Sequence, residues 1–476
     1  MIKRFTVAVI LLTVFMIVPP APARAVDVKI HGDFNNRFMV YTNHNDWFQS
    51  EKGVLLDGTT SESWGEVRYR LWFNAATNDD KVKGVVAIEV GGLEYGKPSS
   101  IGKNVGGSYS GDAINLETRW LYTDFQLPWV TDKARIRMGL QPFNVNSYLW
   151  KETIMGVTAD IGSGPLNFKL GWLRPYRDET KDPDDDVKDL DAFYGRLNFK
   201  PAANVSTGVF ALYMQGDSGN RDPATYSTIT SQHYQIKKFA NKYDLGLYTL
   251  GCDGKASLGG LFVNWDLMYQ GGSIDRANFK ESYNGWDYND GVKNEDFDVS
   301  AWFAHVDLGF KLDKMKFTYI FWYSSGDDDG SDSDLDAFMA IDIDRTDNIC
   351  IFKAKYVDDD YYTEKGYLLD KGFIMNKLAF DYKASKKLQV GTAAMYMMTA
   401  EDIVYVDDNG KQRKEDSVGV EFDMYLKYKI YSDLEFAFNV GYLFCDNAMD
   451  FWEQGHRDGN SDEDIFVSSC RVRYKF

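Results

Sequence analysis

From Val26 onward the chain alternates apolar and polar residues with a period of two, segment after segment. In the first segment Val26, Val28, Ile30, Phe34, Phe38 and Val40 occupy even positions, with Gly32 and Asn36 as gaps. Asp27, Lys29, His31, Asp33, Asn35 and Arg37 occupy the odd ones. Successive side chains of a strand point to opposite faces, so this period describes a strand with one apolar and one polar face. Val67, Tyr69, Leu71 and Phe73 oppose Glu66, Arg68 and Arg70, and Val82, Val86, Ile88 and Val90 oppose Lys83 and Glu89. Late in the chain, Val418 to Ile430 and Leu434 to Phe444 alternate in the same way, with Glu421, Asp423, Lys427, Lys429, Glu435 and Asn439 on the polar parity. A chain built like this throughout is a sheet whose two faces meet different media.

The connections carry a second rhythm, in which short polar turns alternate with long acidic loops. Short turns are expected near 78–80, 128–133, 162–164, 201–204, 252–255, 313–314, 384–387 and 431–433. Long loops are expected near 43–62, 94–112, 142–153, 177–191, 216–241, 273–295, 326–371, 402–417 and 446–463. Seventeen connections join eighteen strands, with sixteen as the alternative if a hairpin is miscounted in 142–161 or 326–371. An even strand number, short turns at one end and long loops at the other describe an all-β, antiparallel transmembrane β-barrel of the bacterial outer membrane, with periplasmic turns and acidic outer loops. Both termini then lie on the periplasmic side. In lipid every backbone N–H and C=O must find a partner, which a sheet achieves only by closing on itself.

The first 25 residues are an address. Lys3 and Arg4 precede the apolar run Phe5 to Val18, and Ala23-Arg24-Ala25 is a small-x-small cleavage site, so residues 1–25 form a signal peptide and residues 26–476 the barrel. Losing Lys3, Arg4 and Arg24 moves the formal charge from -18 to -21. A surface this acidic repels phosphate backbones and excludes a nucleic-acid partner. Past residue 25 no uncharged apolar run is long enough for a membrane helix. No plug domain precedes Val26, which argues against an energy-coupled receptor. A secreted sandwich, β-helix or propeller would alternate similarly, but no repeat of fixed period is present.

The last strand supports the barrel. Cys470, Val472, Tyr474 and Phe476 share one face, and Arg471, Arg473 and Lys475 the other. A final strand closing on Tyr-x-Phe is similar to the signal read by the outer-membrane assembly machinery, which makes Phe476 the expected contact. Aromatic pairs at strand ends suit a belt at the lipid interface: Trp120 and Tyr122, Trp172 and Tyr176, Phe321 to Tyr323, and Tyr474 and Phe476.

Residues 117–177 carry a family resemblance. Glu117-Thr118-Arg119-Trp120-Leu121-Tyr122-Thr123-Asp124 is followed by a turn at Pro128, then Arg135-Ile136-Arg137-Met138-Gly139-Leu140-Gln141, and later Gly171-Trp172-Leu173-Arg174-Pro175-Tyr176-Arg177. This resembles the homotrimeric outer-membrane porins of sulfate-reducing bacteria, which share an R-x-R-M-G-x-Q strand and an aromatic-x-R-P-Y element at similar spacing. The match covers about 60 residues; the segment Pro142 to Trp150 departs from the family pattern. The resemblance implies a trimeric diffusion channel.

The polar parity supplies the expected pore lining: Glu66, Arg68, Arg70, Lys83, Glu89, Glu117, Arg119, Arg135 and Arg137, six basic and three acidic. Arg135 and Arg137 are the strongest, because an arginine facing lipid at mid-depth costs about 2–4 kcal/mol. Opposed arginines and carboxylates either set a transverse field that sorts solutes or form ordinary salt bridges on a solvated wall. The segment 142–153, with Phe143, Tyr148 and Trp150, either folds inward as a constriction, caps the rim or meets a neighbouring subunit. The acidic runs at 178–179, 184–186, 327–329 and 358–360 fall in outer loops and solvate the rim, where divalent cations would bridge them to lipopolysaccharide. Asp327, Asp329, Gly330 and Asp336 approach a calcium loop but lack its first Asp and last Glu.

No catalytic signature is present. His31, His44, His233, His305 and His456 show no metal-ligand spacing, and there is no G-x-S-x-G element. No cofactor is expected. Cys252 is expected in a periplasmic turn, Cys470 facing lipid, and Cys350 and Cys445 both on the outer side, where a pairing between them is open. The sequence therefore describes a passive porin for ions and small hydrophilic solutes. Its alternatives are a substrate-specific channel with a saturable internal site and a plugged structural or adhesive barrel acting through its outer loops.

Overall fold

The computed structural model describes residues 26–43, 61–96, 116–131, 133–176, 190–217, 239–240, 244–279, 294–328, 333–341, 347–351, 371–453 and 455–476. Eighteen long strands follow one another: β1 Val26–Thr42, β2 Ser61–Thr77, β3 Val82–Glu94, β4 Glu117–Gln126, β5 Ala134–Asn146, β6 Trp150–Ser163, β7 Leu166–Tyr176, β8 Leu190–Ala202, β9 Val205–Asp217, β10 Asp244–Leu258, β11 Leu261–Phe279, β12 Asn294–Leu312, β13 Met315–Ser324, β14 Phe373–Lys383, β15 Leu388–Val406, β16 Gln412–Lys429, β17 Leu434–Cys445 and β18 Ile465–Lys475. Each pairs antiparallel with the next, and β18 pairs back onto β1, with Val472 opposite Asn36 and Tyr474 opposite Phe34. The sheet is closed, so it has no free edge. The terminal Phe476 completes the seam: its N–H donates to Gly32 O at 3.1 Å, and Gly32 N–H returns to Phe476 O at 3.0 Å.

The parity read from the sequence sets the two faces. On β1, Asp33, Asn35 and Arg37 are buried inside, while Val28, Ile30, Phe38 and Val40 lie exposed outside. Leu308, Phe310, Phe317, Leu378, Phe422 and Met424 continue the exposed apolar wall. Among the described residues no helix is long and apolar enough to cross a membrane.

Several local expectations are corrected. Cys252 to Lys255 form no turn: they lie within β10, opposite Val209 to Ser206 on β9, and the chain reverses at Gly259-Gly260 instead. Cys252 accordingly sits on the wall, and all four cysteines are free, Cys350 and Cys445 included. The segment 402–417 is no long loop, because β15 and β16 run on to a tight turn at 407–411. Two aromatic belt assignments also fail. Trp120 meets Trp72 at a tilt inside the barrel, 5.9 Å between ring centres, and Tyr122 lies under the Arg137 guanidinium at 4.6 Å. Trp322 points inward and is fully buried between the outward Phe321 and Tyr323. Trp172, Tyr474 and Phe476 do face outward, and Cys470 shares their side of β18. The Tyr176 side chain, the acidic runs at 178–179, 184–186 and 358–360, and Asp329 and Gly330 lie outside the described residues.

The barrel holds an apolar core of its own. Leu245, Leu247, Met268, Phe303, Trp322, Phe373, Met375, Met395 and Met397 point inward from β10 to β15 and join one cluster. What they pack against comes from two infolded pieces of chain, the tip of the β5–β6 hairpin and residues 335–341 and 347–351 of the β13–β14 connection.

Candidate functional site

The site is the inner wall and the two pieces that fold against it. Strands β5 and β6 continue through 142–153, leaving only Ser147, Tyr148 and Leu149 as a turn. The Asn146 carboxamide accepts from Tyr148 N–H at 2.9 Å, which makes that turn self-supporting. Tyr148, Leu149 and Trp150 are all buried. The Tyr148 ring meets Phe303 at 5.0 Å, His305 at 4.4 Å and Trp322 at 4.9 Å, all of them inward residues of β12 and β13. Asn146 Nδ2 donates to Asp266 at 2.7 Å and to Asp253 at 3.3 Å, on β11 and β10. The hairpin tip thus crosses to a wall whose strands come much later in sequence. Of the three options for 142–153, the structure has the inward fold.

The second piece is latched by polar contacts to the same wall. Gln270 brackets Met339, accepting from its N–H at 2.7 Å and donating to its carbonyl at 2.8 Å. Glu421 Oε1 accepts from the N–H groups of Ile349 and Cys350 at 2.7 and 3.0 Å. Lys377 donates to the Asp347 carbonyl and lies 3.7 Å from Asp423. Leu149 O accepts from Ile341 N–H at 2.7 Å, joining the two pieces to each other. Buried charge of this kind persists only when paired and hydrogen-bonded.

The opposite side of the lumen carries the predicted lining residues. Arg70 Nε and Arg119 Nη1 both donate to Glu89 Oε2, at 2.5 and 2.7 Å. Arg135 Nε donates to Asp124 Oδ1 at 2.5 Å, and Arg137 reaches Asp124 Oδ2 at 3.1 Å. Lys83 pairs with Asp80 at 2.7 Å beside the β2–β3 turn. Glu117 stands opposite Glu89 at the far end of β4. Arg68 and Glu66 are buried, and Glu66 is fully enclosed by its ion pair with Arg37. One carboxylate is shared by two guanidiniums at each of two levels, Glu89 and Asp124, and Glu117 adds a second carboxylate at the first.

Sequence reasoning missed the partners that organise these residues. Asp124 was quoted in the motif but not assigned to the lumen. Arg473, which pairs with Asp33 at 2.6 Å, and Arg196, which pairs with Asp253 at 2.8 Å, carried the same signal of charge on the polar parity. The His305 cluster gave no signal, because its carboxylates come from β11, β12 and the infolded segment.

Two cavities meet at the Asp124–arginine level. One of about 1000 Å³ is lined by Lys29, Asn74, Lys83, Tyr122, Asp124 and Arg135, among others, and lies at the short-turn end. The other, about 260 Å³, is bounded by Arg137, Gln141, Phe143, Asp160, Lys169 and Tyr194. Arg135 Nη2 is buried there without a hydrogen-bond partner. Among the described residues no group of three or more His, Cys, Asp or Glu could hold a metal ion.

The chain matches no family model and no curated protein. Solved structures do match it along nearly their whole length. OccK8 (OprE) of Pseudomonas aeruginosa is 11% identical, with 94% of this chain and 98% of that chain covered and a TM-score of 0.51. The outer membrane protein OprD of Pseudomonas aeruginosa is 12% identical, with 96% and 95% covered and a TM-score of 0.50. At these identities the likeness establishes the fold.

Proposed function

We propose that this chain is exported by residues 1–25 and assembles in the outer membrane as the barrel 26–476. There it acts as a diffusion channel for ions and small hydrophilic solutes. One observation carries the reading: a closed barrel, apolar outside, keeps paired arginines and carboxylates around a lumenal cavity of about 1000 Å³. A structural or adhesive barrel with a plugged lumen has no use for that cavity. In this reading the short-turn end faces the periplasm and the long connections face outward, where their acids meet lipopolysaccharide through divalent cations. Catalysis has no part in it. Phe476, paired to Gly32 at the seam, is the residue offered to the assembly machinery. The resemblance of 117–177 to homotrimeric porins of sulfate-reducing bacteria supports a trimer.

The smaller cavity favours a second reading, a channel with a saturable internal site. The partly exposed Arg137 and Lys169 on its wall offer charged hydrogen-bond donors to a passing acidic solute. Liposome swelling with the reconstituted protein tests both. Rates that fall smoothly with solute size, for sugars and small carboxylates alike, support general diffusion. Uptake of a carboxylate that saturates and is lost in Lys169→Gln supports the specific channel. Absence of swelling with any solute sinks both.

A further inference from the structure

The channel reading does not use the outer wall, and that wall is not evenly convex. On the short-turn half of β10 to β16 it holds a recess of about 1220 Å³. Leu261, Phe310, Phe317, Leu378 and Phe422 line it, and all five are exposed. Residues directly opposite each other on paired strands share one face of the sheet. Leu261 stands opposite Phe310, Phe310 opposite Phe317, and Leu378 opposite Ala394, so the lining belongs to the lipid-facing side. Ala256, Thr392 and Ala394 belong to the same lining. Their short side chains leave the space between the taller leucines and rings.

The recess ends at a lysine-rich rim. The turns and strand ends at 311–316, 381–387 and 427–433 carry eight lysines against three aspartates, in a chain whose formal charge is -18. Backbone bonds join these turns into one edge: Lys383 N–H donates to Lys314 O at 2.9 Å, and Lys429 N–H to Lys387 O at 2.9 Å. Lys314, Lys383, Lys386, Lys387 and Lys429 are all exposed. Lys311 and Lys316 instead approach the Phe262 ring, at 5.1 and 5.0 Å. Of the aspartates, Asp381 is buried and accepts from the Tyr425 hydroxyl at 3.1 Å. The β2–β3 turn differs, because there Lys81 and Lys83 are matched by Asp79 and Asp80, at 3.0 and 2.7 Å. Excess positive charge at this end of the barrel therefore lies beside the recess.

We propose that this recess is a binding site for an anionic phospholipid of the leaflet at the short-turn end. The acyl chains lie in the recess and the phosphate meets the lysine rim. The inference rests on the membrane placement proposed above and not on conduction. A lysine ammonium is a compact point charge on a flexible stem, so a row of them takes a phosphate without demanding one geometry. Basic side chains at a membrane surface draw anionic lipid, each adding to the attraction. A second copy of the chain suits the face less well. Two copies meeting through it would bring identical lysine rims together, and like charges repel.

Native mass spectrometry of the full folded chain released from detergent tests the site. The probes are phosphatidylglycerol and phosphatidylcholine with identical acyl chains. The parent should retain phosphatidylglycerol at roughly tenfold lower lipid concentration than phosphatidylcholine. Lys314→Gln with Lys386→Gln and Lys387→Gln should bring the two lipids to parity. Ala394→Phe, which fills the recess, should weaken the retention of both. Heat-modifiable mobility checks that each variant is folded, and the lysine variant decides alone if Ala394→Phe does not fold. Equal retention of the two lipids by the parent, or an undiminished preference in the lysine variant, overturns the site. So does a self-associated species that is lost in Ala394→Phe, which would give the recess to a second copy. Cell fractionation reads the placement separately: a lipid preference in a protein found outside the outer membrane would reject the placement and keep the site.

Discussion

Tyr148 Oη donates to Asp347 Oδ2 at 3.1 Å, a bond between residues 199 positions apart that ties the tip of one hairpin to the infolded part of a distant connection. The two pieces brace each other, and neither has a wall of its own. Tyr148→Ala removes the ring that fills the space between Phe303, His305 and Trp322. Truncating a buried aromatic costs about 3–5 kcal/mol, enough to free the tip. The barrel should keep its heat-modifiable mobility while conductance rises. Tyr148→Phe keeps the ring and loses one hydrogen bond, about 0.5–1.5 kcal/mol, so its conductance should stay near the parent value. Equal conductance in the parent and the Ala variant would show that the tip does not obstruct the path.

The shared carboxylate at Asp124 makes a signed prediction. Arg135→Gln with Arg137→Gln leaves Asp124 facing the lumen alone, and the zero-current potential under a salt gradient should move toward cation preference. Asp124→Asn should move it the other way. A common direction for both changes would place this pair outside the ion path.

How much of this was legible follows from which face each residue serves. On β1, lipid-facing apolar side chains alternate with buried charge, so the strand and its inward set both read directly. On β10 the alternation fails to announce itself. Cys252 and Gly254 are small outward residues between the polar Asp253 and Lys255, and that mixture imitates a turn. On β14 and β15, inward Met375, Met395 and Met397 are as apolar as their lipid-facing neighbours, because a protein segment and not water covers them. The covering segment was visible only as Phe338-Met339 and Ile349-Cys350-Ile351, apolar clusters inside an acid-rich connection. Past the membrane band, where no apolar face is required, the charged ends of β15 and β16 looked like loop.

The turn joining those ends should be acid-sensitive. Asp407 accepts from Lys411 N–H at 2.8 Å, Asn409 N–H at 3.0 Å and Arg413 Nε at 2.8 Å, and the Lys411 amide above all, with Arg413, holds its carboxyl below the ordinary range. A lowered carboxyl pKa supplies stability that is complete above the unfolded value, near 4, and lost as pH falls through the folded one. Corrected for intrinsic exchange, amide protection at 409–411 should hold from neutrality down to about pH 4 and fall below it. Asp407→Asn should exchange fast at every pH; a slow variant would deny the carboxylate its role.

Gly419 marks a bulge that only glycine tolerates. Its φ is +134°, and a Cβ there would lie 2.0 Å from the Phe444 carbonyl oxygen. Gly419→Ala should cost about 1–3 kcal/mol from the backbone conformation alone, with the clash adding to it. Gly84→Ala, where a Cβ meets nothing, is the control. The temperature at which heat-modified mobility appears should drop for the first and hold for the second.

Single-channel recording of the purified protein in a planar bilayer under a salt gradient tests the central claim most directly. Stable conductance without an energy source, larger in Tyr148→Ala and shifted in zero-current potential by Arg135→Gln, is the result this account requires. Folded, inserted protein that never conducts, in the parent and in Tyr148→Ala alike, would contradict it and leave a closed structural barrel.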